Sequence, residues 1–125
     1  MIYLTYEQVI ELHDVLIQKF GGIAGIRERG LLESALAAPM MAVFGRELHK
    51  SVCDKAGAYL YHITRNHPFC DGNKRTASAT AIAFLRVKGE NPCYDVKEFL
   101  KLVVSVAEGT VNAHEISHYF RKACS

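Results

Sequence analysis

The sequence lacks most of what would place it outside a cell or in a membrane. Its four cysteines, Cys53, Cys70, Cys93 and Cys124, are scattered, and no two stand as CxxC. Small secreted scaffolds space their cysteines densely, so these read as reduced thiols of a cytoplasmic protein, not as a disulfide framework. No apolar run approaches the ~18 residues of a membrane span. The opening residues have no basic stretch and meet an acid at Glu7, so no signal peptide is expected. An excess of one charge is missing too: 15 Lys and Arg against 13 Asp and Glu leave a net charge of +2. A protein that grips nucleic acid directly usually carries a strongly basic face, so that class is disfavoured, while a local basic pocket is not. Low-complexity tracts, linkers and internal repeats are also absent.

What remains is 125 residues, half of them apolar. That suits one domain over 1–125, large enough to bury a core without staples. The pattern predicts an all-α bundle of about six helices. Thr5 and Gln8 form a capping box for a helix over Tyr6–Phe20, whose Tyr6, Val9, Ile10, His13, Leu16, Ile17 and Phe20 make one apolar face before Gly21-Gly22 ends it. A second helix starts near Gly30, runs through Leu36 and is broken or kinked by Pro39. A third begins at Ser51, with Asp54 three residues on, and stops near Asn66 because Pro68 disfavours helical geometry in the residue before it. A fourth runs from about Asn73 to Lys88 with Gly89 as its C-cap. Its small residues from Ala77 to Ala83 suit a central helix with neighbours close on several sides. Asp95 with Glu98 and Asn112 with Glu115 open the last two helices, and Gly109 closes the fifth. Only Met1–Leu4 and Pro92–Tyr94 hint at extended chain.

The chemistry concentrates between the third and fourth helices, in His67-Pro68-Phe69-Cys70-Asp71-Gly72-Asn73-Lys74-Arg75. A helix start offers unpaired N–H groups and the positive end of a dipole, which attract phosphate. Gly72 can take the positive φ that aims successive amides at one anion. Lys74 and Arg75 add charged donors, and the guanidinium fork matches phosphate oxygens. Asp71 is a hard oxygen ligand suited to Mg²⁺ on a polyphosphate. His67 offers an imidazole that can deprotonate an attacking hydroxyl. Phe69, alternating with His67, is expected to point inward and hold the loop still. The plain alternative is a polar helix entry, with Asp71 and Asn73 as caps and the cations solvated. The loop is not a Walker A motif, which needs a glycine five positions before Gly72.

These residues match the signature His-Pro-Phe-x-(Asp/Glu)-Gly-Asn-(Gly/Lys)-Arg of Fic/Doc proteins, which the chain resembles. Gly21-Gly22, Gly25-Ile26-Arg27, Gly30–Leu36, Phe84-Leu85-Arg86 with Gly89, and Val106–Gly109 are similar to the Doc, or death-on-curing, subfamily. The resemblance spans nearly the whole chain. It implies an all-α fold with the motif at the start of a central helix, and transfer of part of ATP, with Mg²⁺, to a protein hydroxyl. By the same resemblance His67 is the base, Asp71 holds the metal, Gly72, Asn73, Lys74 and Arg75 hold phosphates, and Phe69 anchors the loop. Doc-type toxins phosphorylate elongation factor Tu and halt translation, whereas most Fic proteins transfer a nucleotide monophosphate. Two departures bear on that choice. Fic adenylyltransferases usually carry Gly at the position of Lys74 and a second Arg at that of Ser78, so the Doc-type pose and phosphoryl transfer are favoured, with adenylylation the alternative. The self-inhibitory signature (Ser/Thr)-x-x-x-(Asp/Glu)-(Gly/Asn) is missing; Ser105–Gly109 is one residue too short. Inhibition is therefore expected in trans, from a disordered antitoxin segment that folds into a groove.

Other features carry less. His114-Glu115-Ile116-Ser117-His118 spells the zinc-protease motif HExxH, but Glu115 already serves as capping partner and only seven residues follow His118. His13 and His62 read as hydrogen-bonded core histidines. Arg65 and Asn66 either rim the pocket or are solvated, Arg27 and Glu28 either are structural, the favoured reading, or border the site, and His49 and Lys50 read as surface loop. A non-catalytic binding module is the remaining class, against which the intact His67 and Asp71 speak.

Overall fold

A computed structural model describes residues 2–125. Six α-helices carry the described chain: α1 (Tyr6–Phe20), α2 (Arg29–Ala37), α3 (Val52–Asn66), α4 (Asn73–Val87), α5 (Val96–Glu108) and α6 (Ala113–Cys124). The fold is all-α, as expected. Three helices start on reciprocal boxes. Thr5 accepts from Gln8 N–H at 3.1 Å, Ser51 from Asp54 N–H at 3.0 Å and Asn112 from Glu115 N–H at 2.9 Å, and each partner side chain returns a bond. At α5 only half the expected box forms: Asp95 accepts from Glu98 N–H, and no bond returns from the Glu98 carboxylate. Helix α2 starts on Glu28 without a side-chain cap, and beyond Ala37 a single 3-10 turn, Ala38–Met40, carries Pro39 out of the helix.

α3 and α4 form the centre, with eight of fifteen residues buried in each. α3 packs on α2, α4, α5 and α6, and α4 on α1 and α5. Small residues allow this closeness. A Cβ on Gly57 would stand 3.1 Å from the Ala113 carbonyl oxygen, so the first turn of α6 lies directly on α3. Tyr59, Leu60, Ile63, Phe84, Leu85, Phe120 and Ile116 fill the core without exposure. Each such large side chain contributes roughly 1.5–3 kcal/mol on burial.

Between α2 and α3 the chain forms a small hairpin that the sequence pattern does not signal: β1 (Ala42–Val43) pairs antiparallel with β2 (Arg46–Glu47). Its turn residues Phe44 and Gly45 both have positive φ, 51° and 77°. Such turns favour Asn-Gly, and Phe-Gly hides the signal. Lys55, fully buried, fastens this region to α3 by donating to the Pro39 and His49 carbonyls and pairing with Glu47 at 3.3 Å. The stretches hinted to be extended form no strand among the described residues, and Met1 lies outside them. Leu4 N–H instead donates to the Tyr59 hydroxyl, and Cys93 N–H to the Ala123 carbonyl.

Candidate active site

The loop between α3 and α4 is built by its own sequence and held from outside. Pro68 bars His67 from continuing the helix, and His67 takes the left-handed conformation, φ 53° and ψ 55°, with its N–H on the Ile63 carbonyl. Pro68 is buried, and its carbonyl accepts from Arg27 N–H at 2.7 Å and Glu28 N–H at 3.2 Å. Phe69 pairs with Ile26 in a single antiparallel bridge, and Cys70 N–H donates to the Gly25 carbonyl. The segment after α1 thus lies along the loop as a partial strand. The Arg27 guanidinium closes the other side, donating to the carbonyls of His67 (2.9 Å) and Asn66 (3.2 Å). The His67 backbone is fixed, while its exposed ring makes no hydrogen bond to another described residue.

Phe69 is fully buried, as its place in the motif predicts. Asn73 is buried too, and its amide is wholly engaged: Oδ1 accepts from Phe69 N–H at 2.9 Å and Nδ2 donates to the Phe69 carbonyl at 3.0 Å. What Asn73 retains for a ligand is its backbone N–H. Gly72 has φ +74° and serves as N-cap without a side chain, so the N–H groups of Asn73, Lys74 and Arg75 have no partner within the helix.

Asp71 sits at that helix start with its carboxylate exposed. Oδ2 accepts from Ile23 N–H at 3.0 Å and Oδ1 from Gly72 N–H at 2.8 Å. These two bonds, with the nearby Arg75 charge, hold its pKa below the ordinary carboxylate value. The carboxylate is therefore ionised and aimed, with lone pairs left on both oxygens. Gly22 makes room for it, since a Cβ there would stand 2.7 Å from Oδ2. This donor set fits a hard divalent cation carrying a polyphosphate.

A cavity of about 600 Å³ opens over these groups. His67, Asp71, Lys74, Arg75 and Ser78 line its polar side. Phe99, Leu100, Val103 and Val104 of α5 and Phe20 of α1 form an apolar wall. The Arg75 guanidinium lies 4.7 Å from the centre of the Phe20 ring, a contact that orients it. Ser78 spends its hydroxyl on the Lys74 carbonyl at 2.8 Å.

The Fic/DOC family model matches residues 3–85, which include the whole loop. The chain belongs to the Fic/DOC family. Two curated members show how far the likeness runs. A protein named Toxin Doc from Mycolicibacterium smegmatis is 41% identical over 87 residues, 70% of this chain and 65% of that protein. The match therefore spans just under two thirds of that relative. Protein kinase doc of Escherichia phage P1 is 30% identical over 122 residues, 98% of this chain and 95% of that protein. The apolar wall on α5 lies beyond the family model but within the reach of the phage match.

Arg65 does not line the cavity; it donates to the Ala107 carbonyl at 2.9 Å and secures the last turn of α5. The Asn66 side chain donates to the Leu31 carbonyl. His62 is half-buried against Tyr61, and burial, helped by the nearby His49, lowers its pKa. His114 and His118 are exposed on α6, Glu115 caps the helix as expected, and no group of three metal-binding side chains gathers there among the described residues. Gly22 and Phe20 are the contributors that sequence reasoning missed, while His13 is a buried, hydrogen-bonded histidine as expected, but bonded to the motif loop. Gly21-Gly22 reads as a helix end, and His13 and Phe20 as parts of an apolar stripe. Nothing in the stripe says that it meets the motif loop.

Proposed function

We propose that the chain is the toxin of a toxin–antitoxin pair and that it transfers the γ-phosphoryl group of ATP to a protein hydroxyl, with elongation factor Tu as the expected target. The observation that carries this reading is the convergence, at one open cavity, of an unbonded His67 ring, the anchored Asp71 carboxylate and the free N–H groups of α4. The names borne by the two relatives point the same way.

In this reading Asp71 holds Mg²⁺, whose charge offsets that of the phosphates. The backbone N–H groups of Asn73, Lys74 and Arg75, freed by the turn at Gly72, take phosphate oxygens, and the Lys74 and Arg75 side chains add charge. His67 accepts the proton of the target hydroxyl as the new O–P bond forms and the bond to the ADP oxygen breaks. Positioning and charge neutralisation supply most of the rate in such transfers. Adenylyl transfer is the weaker reading, because Ser78 brings no cation to the cavity and its hydroxyl is already committed. The antitoxin is expected to fold a disordered segment against the apolar rim at Phe20, Leu100 and Val104, where exposures of 57%, 57% and 44% leave area to bury. Such a target places the activity in the cytoplasm; no described helix is long and apolar enough to cross a membrane.

The test is incubation of the protein with elongation factor Tu and Mg·ATP, followed by intact-mass measurement of the factor. A gain of one phosphoryl group is expected. A gain of one adenylyl group would overturn the phosphoryl reading in favour of nucleotide transfer, and no gain would remove the target.

A further inference from the structure

Beneath the motif loop lies a histidine that the chemistry above does not use. His13 of α1 is buried, with 1% exposure. Its ring stacks on Phe69 with centroids 3.8 Å apart and planes within 6°. Its Nε2 stands 2.9 Å from the Asp71 carbonyl oxygen. A carbonyl oxygen can only accept, so Nε2 carries the proton and donates it. The same ring is 3.7 Å from where a Cβ of Gly72 would stand.

The Asp71–Gly72 peptide is planar and trans, so its C=O and N–H point in opposite directions. The C=O points at His13 Nε2, and the N–H donates to Asp71 Oδ1 at 2.8 Å. Rotating that plane by half a turn would break both bonds together. Gly72 makes such a rotation cheap, because glycine tolerates either sign of φ. Something outside the loop must select the orientation, and His13 is the group in contact with the carbonyl.

We propose that His13 is a positioning residue for the proposed nucleotide site: by fixing the Asp71 carbonyl it fixes the Asp71–Gly72 peptide plane, and through the opposite N–H it aims the Asp71 carboxylate. The inference rests on the reading of Asp71 as the metal-holding group. It separates two roles of one ring, the stack on Phe69 and the hydrogen bond to Asp71, which two substitutions can divide. Glutamine carries its Nε2 the same number of bonds from Cα as histidine does, so His13→Gln keeps the donor and loses the stack. His13→Phe keeps the stack and loses the donor.

The experiment measures binding of Mn²⁺·ATP by proton relaxation, without turnover, for the native protein and both variants, with thermal unfolding recorded for each. His13→Phe is expected to bind about tenfold more weakly, on the scale of one lost, partly buried hydrogen bond. His13→Gln is expected to bind closer to the native protein, even where it unfolds at a lower temperature. If His13→Phe binds as well as His13→Gln or better, the proposal is overturned. A ¹⁵N spectrum of the native protein gives a second reading that needs no variant: a protonated Nε2 is expected, and a bare Nε2 overturns the proposal. Failure of the native protein to take up Mn²⁺·ATP would instead overturn the reading of Asp71 on which the proposal stands.

Discussion

Among the described residues two turns carry a non-glycine residue at positive φ, and they are held very differently. Phe44 at the hairpin tip has φ 51° and His67 at the motif has φ 53°. Either conformation costs roughly 1–2 kcal/mol for an L-residue. Phe44 is fully exposed, and its turn is closed by strands of two residues each. His67 is gripped through its own carbonyl and through Asn66 and Pro68, by donors from one segment, Arg27-Glu28. The tip carries its strain on an exposed ring between two short strands. At the motif the bonds over-determine the backbone, so the strain serves to project one free imidazole.

The comparison can be broken in several places. The largest effect is expected at His67 itself. His67→Ala should lower turnover by about 10²–10⁴-fold, the range for a lost acid–base group, while Mg·ATP binding holds; Asp71→Ala should chiefly weaken that binding. Steady-state kinetics beside nucleotide titration separate the two, and weaker binding alone in both variants would remove His67 as the base. Next comes Gly22→Ala, which combines φ +119° with a Cβ 2.7 Å from Asp71 Oδ2. It should push the carboxylate off Ile23 N–H, weaken Mg·ATP binding by roughly tenfold and cost about 1–3 kcal/mol in denaturant unfolding.

Arg27→Ala leaves two carbonyls without their guanidinium donor and should cost about 1–2 kcal/mol while reducing turnover more than nucleotide affinity. An unchanged turnover would show that the His67 backbone needs no clamp. The far end of α3 supplies a reference away from both turns. Burial would raise the Asp54 carboxyl, but hydrogen bonds from Ser117, Ser51 and Arg121 hold it at about 2, below the ordinary 3.8. Its contribution to stability is thus complete above about pH 4 and is lost as pH falls toward 2. Thermal unfolding of Asp54→Asn should show a smaller loss across that window than the native protein. The smallest effect is expected at the tip: Phe44→Asn should leave activity unchanged and alter stability by less than ~1 kcal/mol, in the favourable direction. A large loss there would mean that the exposed ring has a partner.

Most of the architecture could be read from punctuation. Thr5, Ser51, Asp95 and Asn112 announce helix starts because a short polar side chain followed three residues later by an acid or amide satisfies free N–H groups locally. The hairpin stayed hidden because two-residue strands are too short for alternation to register, and Phe-Gly does not advertise its turn. In the site, the motif residues were legible because their chemistry is crowded into consecutive positions. The role of the Asn73 amide was not, since an amide at a helix start serves an anion or its own loop equally well. His13, Gly22 and Arg27 reach the loop across 40 residues or more, and one sequence contains no record of such contacts.

Those distances have a consequence for when the site comes into being. His13 meets Asp71 from 58 positions away, Ile23 from 48, and Arg27 meets His67 from 40. In synthesis the floor is made first, the motif loop after it, and the apolar wall on α5 last of the three. A chain still leaving the ribosome holds the pieces apart, and the pocket is complete only once α5 has emerged. Until then no nascent chain can present the assembled site.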